Sequence, residues 1–198
     1  MKNAFLYAGL LALLASVPCW PYGAYPHDPI FQKGWGLQIY SPAFLENGWI
    51  PDKYTCDGRN VSPPLHIRGV SSKSRSLVLI MEDPDARRGD WVHWTVWNMS
   101  PGTRVIPENS VPEGSVEGDT DFGMPAWSGP CPRLGVHRYQ FNLYALDARL
   151  ELPARAAKAD LDKAMQGHVL DHAVLVGFFG RNPARAATDT WIRRKFTN

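Results

Sequence analysis

Two carboxylates and a histidine lie near one another in the middle of the chain. Asp83-Pro84-Asp85 directly follows an apolar run, and His93 comes ten residues after Asp83 in a segment typical of a second strand. Carboxylates and an imidazole at adjoining strand ends can bind a charged ligand or exchange protons. The alternative is an acidic turn with one capping aspartate and a packed histidine. Spacing alone leaves both interpretations open.

His137 and Tyr139 form a second pair with chemical potential. They begin a segment in which polar and apolar residues alternate, with Phe141 and Leu143 on the same side. Because side chains at i and i+2 of a strand share a face, both polar residues should point inward. A hydroxyl that donates and an imidazole that donates or accepts suit an anionic oxygen. The alternative is a strand whose first inward residues are polar because it is only entering the core.

A proline-rich loop leads into that segment. Gly129-Pro130-Cys131-Pro132 is followed by Gly135. Proline restricts the backbone and glycine permits close approach, so such a loop can present N–H groups to an oxygen-rich ligand. Proline-rich turns are also common without any ligand.

The elements that must position these residues are mostly strands. Apolar runs, or β-branched and aromatic residues, predict strands at 75–81, 91–97, 137–146 and 173–179. One helix is predicted after Pro153, with Ala154, Ala157, Leu161, Ala164 and Met165 at helical spacing and Gly167 at its end. Turn residues, not crossover helices, fill most intervals. The pattern predicts a mainly β, antiparallel sandwich-like fold with a helix inserted late in the chain.

Composition limits the class of protein. The chain has 198 residues, a hydrophobic fraction of 44% and a net charge of +2. This length fits one domain, and the apolar content excludes a disordered chain. The near-balanced charge argues against a nucleic-acid partner bound on a basic face.

The N-terminus resembles a secretory signal. Met1-Lys2-Asn3 precedes an uncharged apolar run from Ala4 to Val17, which is shorter than the roughly 20 residues that span a membrane. We predict a signal peptide over residues 1–22, a loosely ordered lead-in over 23–36, and export to the periplasm or the medium. The alternative for the run is a buried core helix. Pro18 argues against a lipid anchor on Cys19.

The chain has three cysteines, an odd number for an exported protein. If signal cleavage removes Cys19, Cys56 and Cys131 remain as an even pair in an oxidising compartment. The count favours a disulfide between them, although spacing alone does not establish it.

Other chemistry has weak support. The chain contains no Gly-x-Ser-x-Gly nucleophile motif. His168 and His172 have the spacing of helical metal ligands, but Gly167 should end the helix before them and no glutamate lies between them. We predict no metal, no cofactor and no catalytic residue.

Taken together, several motifs resemble one family. Asp83-Pro84-Asp85-Ala86, Trp91-Val92-His93-Trp94, Gly129-Pro130-Cys131-Pro132 and His137-Arg138-Tyr139 occur in order. They resemble the phosphatidylethanolamine-binding proteins, in the bacterial branch often labelled Raf kinase inhibitor-like. Asp121-Phe122-Gly123 and several segments between residues 37 and 181 agree.

The resemblance implies a single domain over residues 37–198, with two sheets and a small anion pocket at one end. The pocket residues it implies are Asp83, Trp91, His93, Gly129, Pro130, His137 and Tyr139. A phosphate-like group would be held by the Gly129 N–H, the Tyr139 hydroxyl and one or both imidazoles. Asp83 would orient an imidazole or accept the amine of a phospholipid headgroup, and Asp85 would pair with Arg138 as structural support.

The function so implied is that of an exported, non-enzymatic binding protein for a phosphate-bearing or phospholipid-headgroup ligand. The alternative is a regulatory protein that acts on a protease or another protein partner through its surface. A monomer and a homodimer both remain open. Arg87 stands where the family usually has proline, and Arg88 follows it, so the rim of the pocket gains positive charge.

Overall fold

The computed structural model describes residues 36–181. The elements of this part of the chain are nine strands, one α-helix and a single 3-10 turn at Asp52–Tyr54: β1 Gln38–Tyr40, β2 Gly48–Trp49, β3 Leu65–Arg68, β4 Ser76–Asp83, β5 Trp91–Met99, β6 Val105–Ile106, β7 Val116–Glu117, β8 Val136–Leu146, α1 Lys158–Met165 and β9 Val169–Gly180. The four strands predicted from sequence correspond to β4, β5, β8 and β9. The predicted mainly β class is confirmed.

The strands form two sheets. The larger has the order β2-β9-β8-β4-β5-β7, and the smaller has the order β1-β3-β6. All pairings are antiparallel except that of β2 with β9. In the chain, β2 follows β1 of the smaller sheet, whereas its partner β9 is the last strand. No hairpin therefore connects β2 with β9.

β4 lies in the middle of the larger sheet, between β8 and β5. Every one of its residues is buried, because its two faces pack against different layers. Leu77, Leu79 and Met81 belong to the core between the sheets, while Val78 and Ile80 belong to a second core under α1. A strand covered on both sides is apolar on both faces, and this accounts for the uninterrupted run from Leu77 to Met81.

The helix is shorter than predicted. α1 begins at Lys158, not directly after Pro153. Arg155 has φ of 68°, a left-handed conformation that cannot continue a helix from the proline. The Asp160 side chain then accepts the Ala157 N–H at 3.1 Å and caps the first turn. Of the predicted pattern, Leu161, Ala164 and Met165 remain in α1; Leu161 and Met165 are buried, and Ala164 is partly buried against the same core.

The predicted signal peptide over 1–22, nearly all of the lead-in over 23–36, and Cys19 lie outside the described residues. Within residues 36–181, no helix has the length and apolar character needed to cross a membrane.

Candidate functional site

The ends of three neighbouring strands bring the predicted polar residues together. β4 runs antiparallel to both β5 and β8, so the last residue of β4 lies beside the first residues of the other two. On one side, Asp83 pairs with Trp91 of β5. On the other side, Glu82 pairs with Gln140 of β8, so the next residue of β4, Asp83, lies beside Tyr139. Residues far apart in sequence therefore meet at one end of the larger sheet.

A bulge in β5 directs His93 into this site. The register of β4 with β5 steps from Trp94 directly to Val92, so His93 is an extra residue in the ladder. Trp94 packs in the core between the sheets, and the His93 ring lies 5.2 Å from the Tyr139 ring, on the same side. Regular alternation would place neighbouring residues on opposite faces. The bulge is what allows both to point inward.

Asp83 and His137 form an ion pair at the centre of the site. The His137 Nδ1 lies 2.7 Å from the Asp83 Oδ2. The other carboxylate oxygen accepts the Asp85 N–H at 2.9 Å, and Asp83 is only 4% exposed. The hydrogen bond to the Asp83 carboxylate raises the pKa of His137 above its ordinary value. A positive charge on His137 is thereby favoured beside a buried negative one.

His93 has the opposite electrostatic character. It is 2% exposed, and its Nδ1 lies 2.5 Å from the Ser128 carbonyl oxygen. A carbonyl oxygen only accepts, so Nδ1 carries the proton of this hydrogen bond. Burial lowers the pKa of His93 below its ordinary value. The site thus holds two imidazoles with different proton affinities.

The Tyr139 side chain is fully buried, with 0% exposure. Its hydroxyl oxygen makes no hydrogen bond of normal geometry with the described residues, although the Asp83 carboxylate and the Cys131 backbone lie close enough to influence its pKa. Burial, and then the negative charge of Asp83, raise the pKa of Tyr139, so the group remains a hydroxyl. A buried hydroxyl without a partner costs about 1–3 kcal/mol and is therefore a strong candidate for contact with a ligand.

The loop before β8 is fastened to a segment far upstream. The Gly129 N–H donates to the Asn60 Oδ1 at 2.8 Å, and the Cys56 N–H donates to the Pro130 carbonyl at 3.1 Å. A disulfide joins Cys56 to Cys131, with 5.5 Å between their Cα atoms. The predicted disulfide is present, and it lies in the loop that borders the site.

One expected role needs correction. The Gly129 N–H was expected to hold a phosphate oxygen, but it is already donated to Asn60. Glycine is required here because of close backbone approach: a Cβ at this position would lie 2.4 Å from the Tyr54 carbonyl oxygen. Gly129 therefore shapes the loop, and its N–H is not an open donor. Contact of a ligand with Trp91 or Pro130 stays a prediction.

Phe122, which was not predicted as a site residue, lies beside two aromatic rings of the site. The Phe122 ring lies 5.7 Å from that of Trp91 and 5.2 Å from that of His93, both edge-on. Phe122 occurs in the Asp121-Phe122-Gly123 motif, but nothing in its residue type suggested a place beside these rings. Asn60 and the Ser128 carbonyl were missed for a similar reason, since their roles depend on the loop path.

Asp85 supports the site from outside. Its carboxylate accepts from the Arg138 Nε at 2.9 Å, from a guanidinium NH₂ group at 3.0 Å, and from the backbone N–H of the same residue at 2.9 Å. A bidentate pair of this kind restrains both side chains. It ties the turn after β4 to the start of β8 and so holds Asp83 near His137.

The two histidines near the end of the chain do not meet. The His168 Nδ1 lies 2.8 Å from Asp147, whereas the His172 ring stacks on that of Tyr144 with centroids 4.4 Å apart. Residues 36–181 contain no group of three or more histidine, cysteine or acidic side chains arranged to hold a metal ion.

The two site histidines should make stability depend on pH in opposite ways. The raised pKa of His137 gives stabilisation that is complete below about pH 6.5 and is lost as the pH rises through the raised value. The lowered pKa of His93 gives stabilisation that is complete above about pH 6.5 and is lost as the pH falls through the lowered value. Urea unfolding between about pH 5 and 9 should therefore show a maximum near neutrality. His137→Gln should reduce the decrease in unfolding free energy on the alkaline side of this maximum. An unchanged decrease would contradict the assignment of the raised pKa to His137.

Comparisons with known proteins agree on one family. The family model described as phosphatidylethanolamine-binding protein matches residues 40–180. A UPF0098 protein of Methanothermobacter thermautotrophicus is 46% identical over 150 residues, which cover 73% of this chain and 99% of that protein. A phosphatidylethanolamine-binding protein homologue of Chlamydia trachomatis has a similar structure, with a TM-score of 0.72, 38% identity, and coverage of 75% of this chain and 100% of that one. Escherichia coli YbcL matches with a TM-score of 0.70 and 25% identity, covering 74% of this chain and 99% of that one.

Proposed function

Because the chain belongs to the phosphatidylethanolamine-binding protein family, we propose that it binds a small phosphate-bearing ligand, such as a phospholipid headgroup, at the site of Asp83, His93, His137 and Tyr139. In this proposal the protein binds and releases the ligand without changing it chemically.

The Tyr139 hydroxyl is the single observation that carries this proposal. It is buried and makes no hydrogen bond of normal geometry with the described residues, while Asp83 and the Cys131 backbone lie near it. An oxygen of the ligand would accept its hydrogen bond and remove the cost of leaving it unsatisfied. The nearby positive charge of His137 would attract the same oxygen.

The charges of the site suit a ligand with both signs. Asp83 and His137 together are close to neutral, so the pair does not favour a dianion over a zwitterion by charge alone. A phosphate group near His137 and Tyr139 would leave an amine able to approach the Asp83 carboxylate, whose oxygens can each accept a further hydrogen bond. A phosphoethanolamine-like headgroup has both groups.

Thermal unfolding in the presence of inorganic phosphate or phosphoethanolamine tests the proposal. A ligand at about 100 times its Kd should stabilise the folded protein by about 2.7 kcal/mol through mass action. Tyr139→Phe and His137→Ala should each reduce the increase in Tm.

The matched control is Tyr144→Phe. Tyr144 lies on the same strand as Tyr139, but it belongs to the opposite face, beside the core under α1, so the control should retain the increase in Tm. If the increase is the same in Tyr139→Phe, His137→Ala and the parent, the site assignment is wrong.

We also propose that the protein is exported. The disulfide between Cys56 and Cys131 supports this, because such bonds persist mainly in oxidising compartments. Cell fractionation that found the chain in the cytoplasm with both thiols reduced would contradict it. Regulatory action on a protein partner and a homodimer remain predictions.

A further inference from the structure

Exposed apolar side chains border the site. Leu134 lies in the loop before β8, three residues before His137, and at 85% it is the most exposed large apolar side chain in residues 36–181. Phe122 and Met124, in the loop after β7, are 42% and 49% exposed. The Phe122 ring lies 5.2 Å from that of His93. These three apolar side chains are here called the apolar rim.

The loops that carry this rim leave the same end of the larger sheet. The loop after β7 is fastened to the start of β5: the Val92 N–H donates to the Asp121 carboxylate at 2.7 Å, and the Asp121 N–H donates to the Val92 carbonyl at 3.1 Å. Leu134 lies directly ahead of the start of β8. Because β4 lies between β5 and β8, the apolar rim lies on both sides of Asp83, the last residue of β4.

Arginines lie on the loops at this end as well. Arg87 and Arg88 are exposed on the turn after β4, and Arg133 is exposed in the loop before β8. The exposed acidic side chains of these loops are Asp90 and Asp121, and the Asp121 carboxylate accepts a backbone N–H. The three arginines, here called the rim arginines, therefore give this end of the sheet a small excess of positive charge.

A phospholipid bilayer has the two properties that this surface matches. Its interface accepts apolar side chains, and its anionic lipids attract arginines. Single exposed apolar residues are ordinary on protein surfaces, but these surround a site proposed to bind a phosphate-bearing headgroup. A headgroup free in solution needs no apolar surface around the site. The headgroup of a membrane lipid can be reached only by a protein that contacts the bilayer.

We infer that the apolar rim and the rim arginines dock the protein on an anionic lipid bilayer, so that the site takes the headgroup of a membrane lipid. This inference rests on the proposed function, since the headgroup must fit the site. Binding to a bilayer increases with the apolar area buried and with attraction to anionic lipids. The apolar rim supplies the first contribution and the rim arginines the second.

Co-sedimentation with vesicles of phosphatidylethanolamine and phosphatidylglycerol measures the docking. Met124→Gln combined with Leu134→Gln removes two apolar side chains and should weaken vesicle binding about tenfold or more. Arg87→Gln combined with Arg88→Gln should also weaken it about tenfold or more, and added salt should reduce this electrostatic contribution. All variants are purified in the same form, so that segments outside residues 36–181 contribute equally.

Matched controls lie at the opposite end of the larger sheet. Val169 and Leu170 are 45% and 40% exposed. Val169 pairs with the last residue of β8, nine residues along the strand from His137, which corresponds to about 30 Å. Val169→Gln combined with Leu170→Gln should therefore keep vesicle binding. Arg75→Gln combined with Arg149→Gln, at exposed positions near the same end, is the control for the rim arginines.

Thermal unfolding with soluble phosphoethanolamine separates this inference from the proposed function. The variant of Met124 and Leu134 should lose vesicle binding but keep the increase in Tm of the parent. A parent that does not bind vesicles, as expected if the rim contacts a protein partner, overturns the inference. So does a rim variant that binds vesicles as well as the parent, or a control that loses as much as the rim variants. Absence of any increase in Tm with phosphate or phosphoethanolamine overturns the proposed function itself.

Discussion

Replacing both Cys56 and Cys131 with serine should lower the free energy of unfolding by about 4–5 kcal/mol in the chain-entropy model. The two cysteines are 75 residues apart, and closing so long a loop greatly restricts the unfolded chain. The native state loses little else, because the Gly129 and Pro130 backbone contacts to the upstream segment remain. The expected loss is a large part of the stability of a typical domain.

Urea unfolding with and without dithiothreitol measures the effect. The parent protein should lose stability on reduction, while the double serine variant should be unaffected by the reductant and thus serves as the control. The increase in Tm caused by phosphate should also fall in the variant, since the loop carries the Ser128 carbonyl. A loss below about 1 kcal/mol, with both thiols shown to be free, would contradict the entropic role given to this bond.

Replacing Asp83 with alanine should have the second large effect. Removing one partner of a fully buried ion pair typically costs about 3–5 kcal/mol, but His137 is partly exposed and can release its proton, so the cost here should be lower, about 1–3 kcal/mol. Here His137 would lose its carboxylate, and the Asp85 N–H would lose its acceptor. We expect a loss of stability in that range, together with loss of the phosphate-induced increase in Tm.

Two further variants separate charge from packing. Asp83→Asn keeps an oxygen that can accept the Asp85 N–H but removes the negative charge, so it should be less destabilising than alanine. It should also return the pKa of His137 toward its ordinary value, as measured by NMR titration. Glu113→Ala removes an exposed carboxylate and should change neither quantity. A His137 pKa that is unchanged in Asp83→Asn would show that the carboxylate is not what raises it.

Much of the scaffold follows from local patterns. The apolar run of β4 predicts a strand buried on both faces, and the structure has every residue of that strand buried. The alternation in β8 predicts that His137 and Tyr139 share a face, which the ring contact of Tyr139 and the ion pair of His137 with Asp83 bear out. Side-chain direction in a strand has a period of two, and residue order alone reveals it.

The helix shows the limit of prediction from local sequence patterns. The spacing of apolar residues places it correctly, and Leu161 and Met165 are buried. Its start was predicted too early because the left-handed backbone at Arg155 is not encoded by residue type. An arginine can adopt this conformation only where the surrounding turn requires it.

By itself, the sequence determined the four long strands β4, β5, β8 and β9, the β class and the polar residue types near three strand ends, because these follow from periodicity and from apolar content; the short strands of the smaller sheet, β2 and β7 were not predicted. Only the tertiary structure decided how those residues meet. The bulge that turns His93 inward depends on the register between two strands. The Gly129 N–H donates to Asn60, which is 69 residues away in the chain. The Ser128 carbonyl accepts from His93, which is 35 residues away. Such contacts form only when the whole chain has folded, and they decide which groups of the site remain open to a ligand.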